Sequence, residues 1–242
     1  MNFEQRNRPT SLHQVMFKSA AVEQTLEDYA KNKINKHLLL YGPKGTGKSV
    51  TAQIVLNARV GDTAFNDPFH ANSYEADYND FKKVMNSWQM QTFLGAQTGC
   101  VIFDELDQFS MPMQKRFRAF IDEHQGGIVI ATTNNLHLID APLKDRFRCL
   151  HVDYPSPEQW AYRVMNIFNA EGFPVTHEQA CVLLQGFDQS GRNLNDWVED
   201  YILKLKSAAV SLVTNQQSAQ PSATTPSLTA QAVVGTIKKV IK

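Results

Sequence analysis

A single octapeptide limits what this chain can fold into more than any other part of the sequence. Residues 42–49 read Gly-Pro-Lys-Gly-Thr-Gly-Lys-Ser, which satisfies the pattern G-x-x-x-x-G-K-[ST] at every position. The apolar run His37–Tyr41 precedes it, and Val50–Arg59, which has the character of a helix, follows it. A strand, a glycine-rich turn and a helix in this order are the context in which the pattern binds phosphate groups. The sequence therefore predicts a phosphate-binding loop.

Each residue type in this loop has a chemical role. Glycines leave room for backbone N–H groups to turn towards phosphate oxygens, and the N-terminus of the following helix adds partial positive charge. We expect Lys48 to neutralise the β- and γ-phosphates and the Ser49 hydroxyl to bind Mg²⁺. The predicted nucleotide-binding residues of the loop are Gly42, Pro43, Lys44, Gly45, Thr46, Gly47, Lys48 and Ser49.

A second apolar run ends in two carboxylates. Cys100–Asp104 has the pattern of a buried strand, and Glu105 follows it directly. An apolar strand needs no acidic pair at its end in order to fold, so the pair indicates a chemical role. In a chain with a phosphate-binding loop, we expect Asp104 to bind the Mg²⁺ and Glu105 to polarise the attacking water.

Up to about residue 154, strand-like and helix-like segments alternate along the chain. A third buried strand is predicted at Gly127–Thr132, and a helix is predicted from a cap at Ser110 to about His124. Such alternation is typical of a parallel sheet covered on both faces. The predicted fold class is therefore α/β, a parallel sheet with helices on both faces, followed by a small helical lid.

The last third of the chain has a different character. Three helices are predicted with no strand between them, at Pro157–Ala170, Thr176–Gln185 and Asn193–Lys206. Between Lys206 and Lys238 no residue is charged, and the stretch is rich in Pro, Ser and Thr, which indicates a flexible linker. The predicted division is a nucleotide-binding core at 1–154, a helical lid at 155–210, and a linker with a short tail at 211–242.

Composition excludes several classes of protein. Lys+Arg and Asp+Glu both number 24, so a generally basic nucleic-acid-binding protein is excluded, whereas a local basic face is not. No apolar run reaches membrane-spanning length, and the N-terminus has no secretory signal. Cys100, Cys149 and Cys181 form no C-x-x-C pair, which argues against a disulfide framework or a cysteine-rich zinc site. These features predict a cytoplasmic protein with no membrane partner.

Together, these motifs resemble AAA+ ATPases, and within them the clamp-loader clade, which includes replication factor C small subunits and bacterial polymerase III loader subunits. The likeness covers about residues 6–206. It implies ATP and Mg²⁺ as cofactors and other AAA+ subunits as partners. Residues 6–12 resemble the segment that wraps the adenine in that clade, and the matching positions that imply cofactor contacts here are Arg8, Val15 and Met16.

Two further elements resemble the nucleotide sensors of the family. Residues 132–135 look like sensor 1, in which Asn134 matches the family register and Asn135 is the alternative. The resemblance implies that this side-chain amide holds the attacking water or the γ-phosphate. Residues 190–194 resemble sensor 2, for which Arg192 is the expected residue, while a different register places the position at Asn195.

The resemblance also implies contacts with other molecules. Arg146 matches the arginine that reaches ATP on the next subunit, while Arg148 keeps the Arg-Cys pair of clamp loaders. A guanidinium there adds charge that an isolated subunit lacks. The helix that lies near DNA in the family matches a basic segment here, with Lys82 and Lys83 as a second candidate patch. The residues of that segment expected to contact DNA phosphates are Lys115, Arg116 and Arg118.

Three functions remain open on this resemblance. The first is a Mg-ATP-hydrolysing, clamp-loader-like subunit of a DNA-replication assembly, with a sliding clamp as its client. The second is a helicase-loader or initiator-type switch. Two features favour it: Arg192 matches the arginine position of replication initiators, and residues 207–242 are too few and too polar for the helical collar of clamp-loader subunits. The third is a non-hydrolysing regulatory subunit, against which the intact Lys48, Asp104 and Glu105 argue.

Overall fold

The computed structural model describes residues 2–61, 66–70, 78–185, 187 and 190–217, and their contacts divide the chain into two units. One unit is Pro9–Tyr154, and the other joins Met1–Arg8 to Pro155–Lys242. The prediction from sequence placed residues 1–8 in the nucleotide-binding core instead. Polar contacts account for the difference, because the Arg6 guanidinium donates to Glu171 Oε1 at 3.1 Å and the Arg163 guanidinium donates to the carbonyl oxygen of Asn7.

The unit Pro9–Tyr154 is built on a five-stranded sheet. Its strands in chain order are β1 (His37–Tyr41), β2 (Phe69–His70), β3 (Gly99–Asp104), β4 (Gly127–Thr133) and β5 (Phe147–His151). They lie in the order β2-β3-β4-β1-β5, and each neighbouring pair is parallel. The carboxyl ends of the strands therefore share one edge of the sheet, and the predicted α/β fold class is confirmed.

Helices of the same unit cover both faces of this sheet. In the described residues the α-helices are α1 (Phe3–Arg6), α2 (Ala20–Ala30), α3 (Lys48–Val60), α4 (Tyr78–Phe93), α5 (Met111–Glu123), α6 (Ala141–Lys144), α7 (Pro157–Ala170), α8 (His177–Leu183) and α9 (Gly191–Gln217). Leu39, Val101 and Val129 point to one face and share an apolar core with α4 and α5. Leu38 and Ile102 point to the other face and share a core with α2 and α3. Because both faces are buried, the central strands read as continuous apolar runs.

The sequence predicted β1, β3, β4 and α5 to within a residue or two. In α5, the Ser110 hydroxyl accepts from the backbone N–H of Met113, and Pro112 lies in the first turn, as expected from the cap. Strand β5 was missed because it is an edge strand on which only Phe147 is buried, so it has no apolar run. Strand β2 was missed because it is two residues long.

The helical part of the second unit contains no strand in its described residues, as predicted. Helix α7 has the predicted bounds, and Ser156 and Gln159 form a reciprocal capping box at its start. Helix α9 continues to Gln217, beyond the proposed lid boundary at residue 210. The apolar core of this unit includes Trp160, Val164, Phe168, Leu183, Val198 and Ile202.

Among the residues that the structure describes, we find no helix whose length and apolar character would suffice to cross a bilayer.

One half-buried histidine ties β1 to β4. The backbone N–H of Val129 donates to His37 Nδ1 at 2.9 Å, so the ring accepts there in its neutral form. Burial lowers the pKa of His37 to about 4, and the nearby charge of Asp122 opposes that shift only in part. An unfolded chain would titrate this ring near 6.5.

We therefore expect stability to be lost as the pH falls from about 6.5 to about 4, because in that range the unfolded chain binds a proton that the folded ring excludes. The difference between the pKa of the ring in the folded and in the unfolded chain corresponds to about 3 kcal/mol of the free energy of unfolding. His37→Asn keeps an acceptor for Val129 that does not titrate. Between pH 7.5 and pH 4.5 the free energy of unfolding of this variant is therefore expected to fall by about 2–3 kcal/mol less than that of the wild type. Urea unfolding at both pH values measures this, and an equal loss in both proteins would contradict it.

Candidate nucleotide-binding site

The candidate site lies at the carboxyl edge of the sheet, where β1, β3 and β4 end side by side. Tyr41 pairs with Thr133, and Phe103 pairs with Ala131. The predicted loop follows β1, the acidic pair ends β3, and the predicted sensor follows β4. Parallel pairing therefore brings three motifs that are far apart in sequence to one edge, which is where ligands bind in open α/β sheets.

The conformation of the loop depends on its glycines at two points. A Cβ on Gly42 would lie 2.1 Å from the carbonyl oxygen of Val152, so only glycine allows the loop to pass the end of β5. Gly47 has φ +83° and caps α3, a left-handed conformation that glycine adopts without strain. The loop is also held by Tyr154, whose hydroxyl donates to the carbonyl oxygen of Lys44 at 2.6 Å. The result is a cradle at a helix N-terminus that suits a phosphate group.

The Lys48 side chain reaches into this cradle and is only 7% exposed. Its Nζ donates to the carbonyl oxygens of Gly42 at 2.8 Å and Pro43 at 2.7 Å, and to Asn134 Oδ1 at 2.9 Å. Burial lowers the pKa of Lys48 to about 8, and the negative charge of Asp104 acts in the opposite direction. The ammonium thus lies beside the proposed sensor, in a position where it is able to neutralise a phosphate group.

The side chains of Ser49 and Asp104 are hydrogen-bonded at the N-terminus of α3. The Ser49 hydroxyl lies 2.9 and 3.0 Å from the two carboxylate oxygens of Asp104 and donates to them. Thr132, which is buried, also donates its hydroxyl to Asp104 Oδ1. Hydroxyl and carboxylate oxygens are ligands that Mg²⁺ prefers, so Ser49 and Asp104 fit the predicted metal site.

Glu105 has an unusual backbone conformation. Its φ of 57° and ψ of 50° are left-handed, which is uncommon for a residue other than glycine. The hydroxyl of Thr132 accepts from the Glu105 N–H at 3.1 Å and so helps to hold this conformation. The side chain is exposed beside Asp104, where a carboxylate is able to accept a proton from water.

The remaining residues predicted to contact the nucleotide lie in surroundings that differ from those of the loop. Asn135 caps a short 3₁₀ turn, since its side chain accepts from the His137 N–H at 3.1 Å, so Asn134 is the amide that meets Lys48. Val15 is buried in the core beneath α3, and Met16 next to it is half-buried. Two predicted cofactor residues belong to the second unit. Arg8 is exposed, and the side chain of Arg192 lies outside the described part of the structure.

The structure does not bring Arg146 to the loop. Arg146 immediately precedes β5, whose first residue Phe147 pairs with His37 at the start of β1, whereas Gly42 follows the end of β1. A five-residue strand rises about 3.3 Å per residue, so roughly 16 Å of strand separates the two edges. Arg146 therefore lies at the amino edge of the sheet, whereas the loop lies at the carboxyl edge.

The basic residues predicted to contact DNA lie along α5. Lys115 and Arg116 are exposed, and Arg118 Nη1 lies 3.6 Å from Asp140 Oδ2. Part of the charge of Arg118 is therefore balanced within the chain. The second candidate patch, Lys82 and Lys83, is exposed on α4. The contact with DNA stays a prediction.

Sequence reasoning missed the role of Thr132 as a link between the two acidic residues. Its hydroxyl donates to Asp104 and accepts from the Glu105 backbone, which no motif specifies. One signal was available, because threonine is mostly found exposed, whereas Thr132 and Thr133 lie at the end of a strand whose every residue is buried.

Residues 38–153 match the model of the ATPase family associated with various cellular activities (AAA). Those residues include the loop, the acidic pair, the predicted sensor and Arg146. This segment is an AAA ATPase domain.

Known proteins resemble the chain beyond the AAA domain. The replication factor C small subunit of Archaeoglobus fulgidus is 24% identical over 195 residues, which cover 77% of this chain and 61% of that protein. The chain thus spans about three-fifths of the length of this relative. The Thermotoga maritima RuvB Holliday junction branch migration motor matches with a TM-score of 0.66 and 15% identity, covering 98% of this chain and 73% of that chain. A point mutant of the same motor matches with a TM-score of 0.67 and 14% identity, covering 97% of this chain and 73% of the mutant chain. At such identities the structural matches support the fold alone.

Proposed function

We propose that the AAA domain hydrolyses ATP with Mg²⁺, and that the chain works as an oligomeric, clamp-loader-like subunit of a DNA-replication assembly. One observation carries the proposal, namely the hydrogen-bonded cluster in which Lys48 contacts Asn134 while Ser49 and Thr132 contact Asp104. The cluster gathers a phosphate counter-charge, a polar amide and oxygen ligands for a hard cation at one edge of the sheet. These are the groups that phosphoryl transfer requires.

Each group has a separate part in the proposed reaction. The loop and Lys48 bind and orient the phosphates, and Ser49 and Asp104 would hold Mg²⁺, which when bound stabilises developing negative charge. Glu105 accepts a proton from the attacking water, and Asn134 orients that water or the γ-phosphate. Hydrogen bonds link Lys48 to Asn134 and Asp104 to Thr132, so these groups already lie close together.

The proposed oligomer follows from the position of Arg146. The side chain lies at the amino edge of the sheet, away from the loop of its own subunit. We infer that it acts on ATP bound to a neighbouring subunit, where a guanidinium would stabilise the charge of the transition state.

The client protein is proposed to be a sliding clamp, with a replicative helicase as the alternative. The relatedness to a replication factor C small subunit supports the former. Exposed apolar side chains at the end of α4 are also suited to a protein partner, since Phe93 is 83% exposed and Met90 and Leu94 nearby in sequence are exposed too. Lys115 and Arg116 on α5 are proposed to contact DNA phosphates.

We expect ATP turnover by the wild-type protein to rise when primed DNA and the sliding clamp are added together. Phe93→Ser should reduce this stimulation roughly tenfold or more by removing an anchor, whereas Leu203→Ser, which changes another exposed apolar residue, should not. Steady-state ATP hydrolysis with each client measures both effects. Stimulation by a replicative helicase and forked DNA alone would assign the alternative client, and stimulation by neither would contradict the replication role.

A further inference from the structure

The Arg146 guanidinium is held from two sides. Its Nε donates to Asp122 Oδ1 at 3.0 Å and its Nη2 donates to Asp122 Oδ2 at 2.9 Å, which makes a bidentate ion pair. Its Nη1 donates to the carbonyl oxygen of Pro142 at 3.0 Å. A planar guanidinium gripped by these acceptors has a defined orientation.

The two partners differ in rigidity. Asp122 lies in the last turn of α5, a 13-residue helix anchored in the core by Phe117, Phe120 and Ile121. Arg146, in contrast, lies in the connection between the short α6 and β5, and its long side chain has many rotamers. Asp122 therefore supplies a fixed point for a side chain that would otherwise sample many positions.

Stability gives little reason for this pair. The Arg146 and Asp122 side chains are 37% and 44% exposed, and most ion pairs at such exposure add little to folding, although bidentate pairs add more than others. The hydrogen bond from Arg146 lowers the pKa of the Asp122 carboxyl, so the pair stays ionised at neutral pH. A surface pair with bidentate geometry is better suited to orienting the guanidinium than to stabilising the fold.

The pattern of bonds leaves the tip of the guanidinium available. Arginine carries five N–H groups, one on Nε and two on each terminal nitrogen. The three bonds to Asp122 and Pro142 use one N–H on each nitrogen. The two that remain are therefore on the two terminal nitrogens, which is the end that can approach phosphate oxygens as a fork.

We propose that Asp122 is a positioning residue for Arg146, orienting its guanidinium towards the γ-phosphate of ATP on a neighbouring subunit. This inference rests on the proposed trans role of Arg146. In this arrangement Asp122 touches neither the nucleotide nor the attacking water, and it acts only through the arginine. A change at Asp122 should therefore matter in the subunit that donates Arg146. The same change in the subunit that binds the ATP should have no effect on hydrolysis of that ATP.

Asp122→Asn is expected to lower the turnover of the assembled protein roughly 10- to 100-fold while ATP affinity stays unchanged, because small misplacements of a catalytic group cost that much. Glu123→Gln is the matched control, since it removes the same charge from the adjacent exposed position and should keep wild-type turnover. Thermal unfolding checks that each variant is folded. If the asparagine variant is not, Asp122→Ser takes its place.

A double variant and mixing experiments separate this role from a structural one. The variant with both Asp122→Asn and Arg146→Ala should turn over no more slowly than Arg146→Ala alone. Asp122→Asn mixed with Lys48→Ala should regain activity, because intact arginines then meet intact loops. Asp122→Asn mixed with Arg146→Ala should not.

The outcomes distinguish the two proposals. If Arg146→Ala keeps wild-type turnover, the trans role fails and the positioning role fails with it. If Arg146→Ala loses turnover while Asp122→Asn equals or exceeds the wild type, the positioning role alone is overturned. A further loss in the double variant would also overturn it, since Asp122 would then act by another route.

Discussion

Arg146→Ala is expected to lower ATP turnover of the assembled protein by roughly 10³–10⁵-fold, the range found when such an arginine is supplied to other phosphoryl-transfer sites. The physical reason is that the guanidinium stabilises charge that develops only in the transition state. ATP affinity should therefore change little. Because Arg146 lies at the amino edge of its own sheet, wild-type turnover per subunit should also rise with protein concentration.

Steady-state hydrolysis over a range of subunit concentrations, together with an equilibrium titration of ATP, measures both effects. Arg148→Ala is the comparison, because Arg148 is an exposed arginine on β5, two residues beyond Arg146, and keeps the Arg-Cys pair of clamp loaders. A loss in Arg148→Ala with no loss in Arg146→Ala would move the role to Arg148.

Mixing provides a sharper test of the shared site. Lys48→Ala is expected to bind no ATP, since Lys48 is the ammonium inside the loop. Mixed with Arg146→Ala, it should give more turnover than either variant alone, because each subunit supplies the half that the other lacks. No recovery, combined with wild-type turnover that is independent of concentration, would place the whole site in one chain.

Glu105→Gln is expected to keep ATP binding and to lose turnover by roughly 10²–10⁴-fold, the usual contribution of a general base. The amide has the size of the carboxylate but cannot take a proton from water. The hydrogen bonds around Asp104 do not involve the Glu105 side chain, so they should remain.

Single-turnover hydrolysis and equilibrium binding separate these two steps for Glu105. Asp107→Asn is a suitable comparison, because it removes a nearby charge from the short turn that follows Glu105. Hydrolysis by Glu105→Gln at the wild-type rate would show that another group activates the water.

The central strands were predictable because their physical cause is local. Residues of β1, β3 and β4 are buried on both faces, so their apolar character is continuous in sequence. Strand β5 carries Arg148 and His151 exposed at the sheet edge and lacks that signal. Its existence depends on pairing with β1, a contact between distant parts of the chain.

The same distinction applies to the candidate site. Lys48, Ser49 and Asp104 were predicted as site residues because the chemistry of phosphate and metal binding fixes residue types within short motifs. The contacts that hold them come from elsewhere, such as the hydroxyl of Thr132 on Asp104 and that of Tyr154 on the loop. Bonds across many intervening residues leave no pattern in one sequence.

The opposite placement of the loop and Arg146 has a consequence for symmetry. A contact that joins the arginine edge of one subunit to the loop edge of the next uses two different surfaces, so it is heterologous. Repetition of such a contact generates either a closed ring or an open helical assembly. In a ring every subunit would have a neighbouring arginine, whereas in an open assembly the subunit at one end would lack one. An open assembly would therefore contain one fewer complete hydrolytic site than it has subunits.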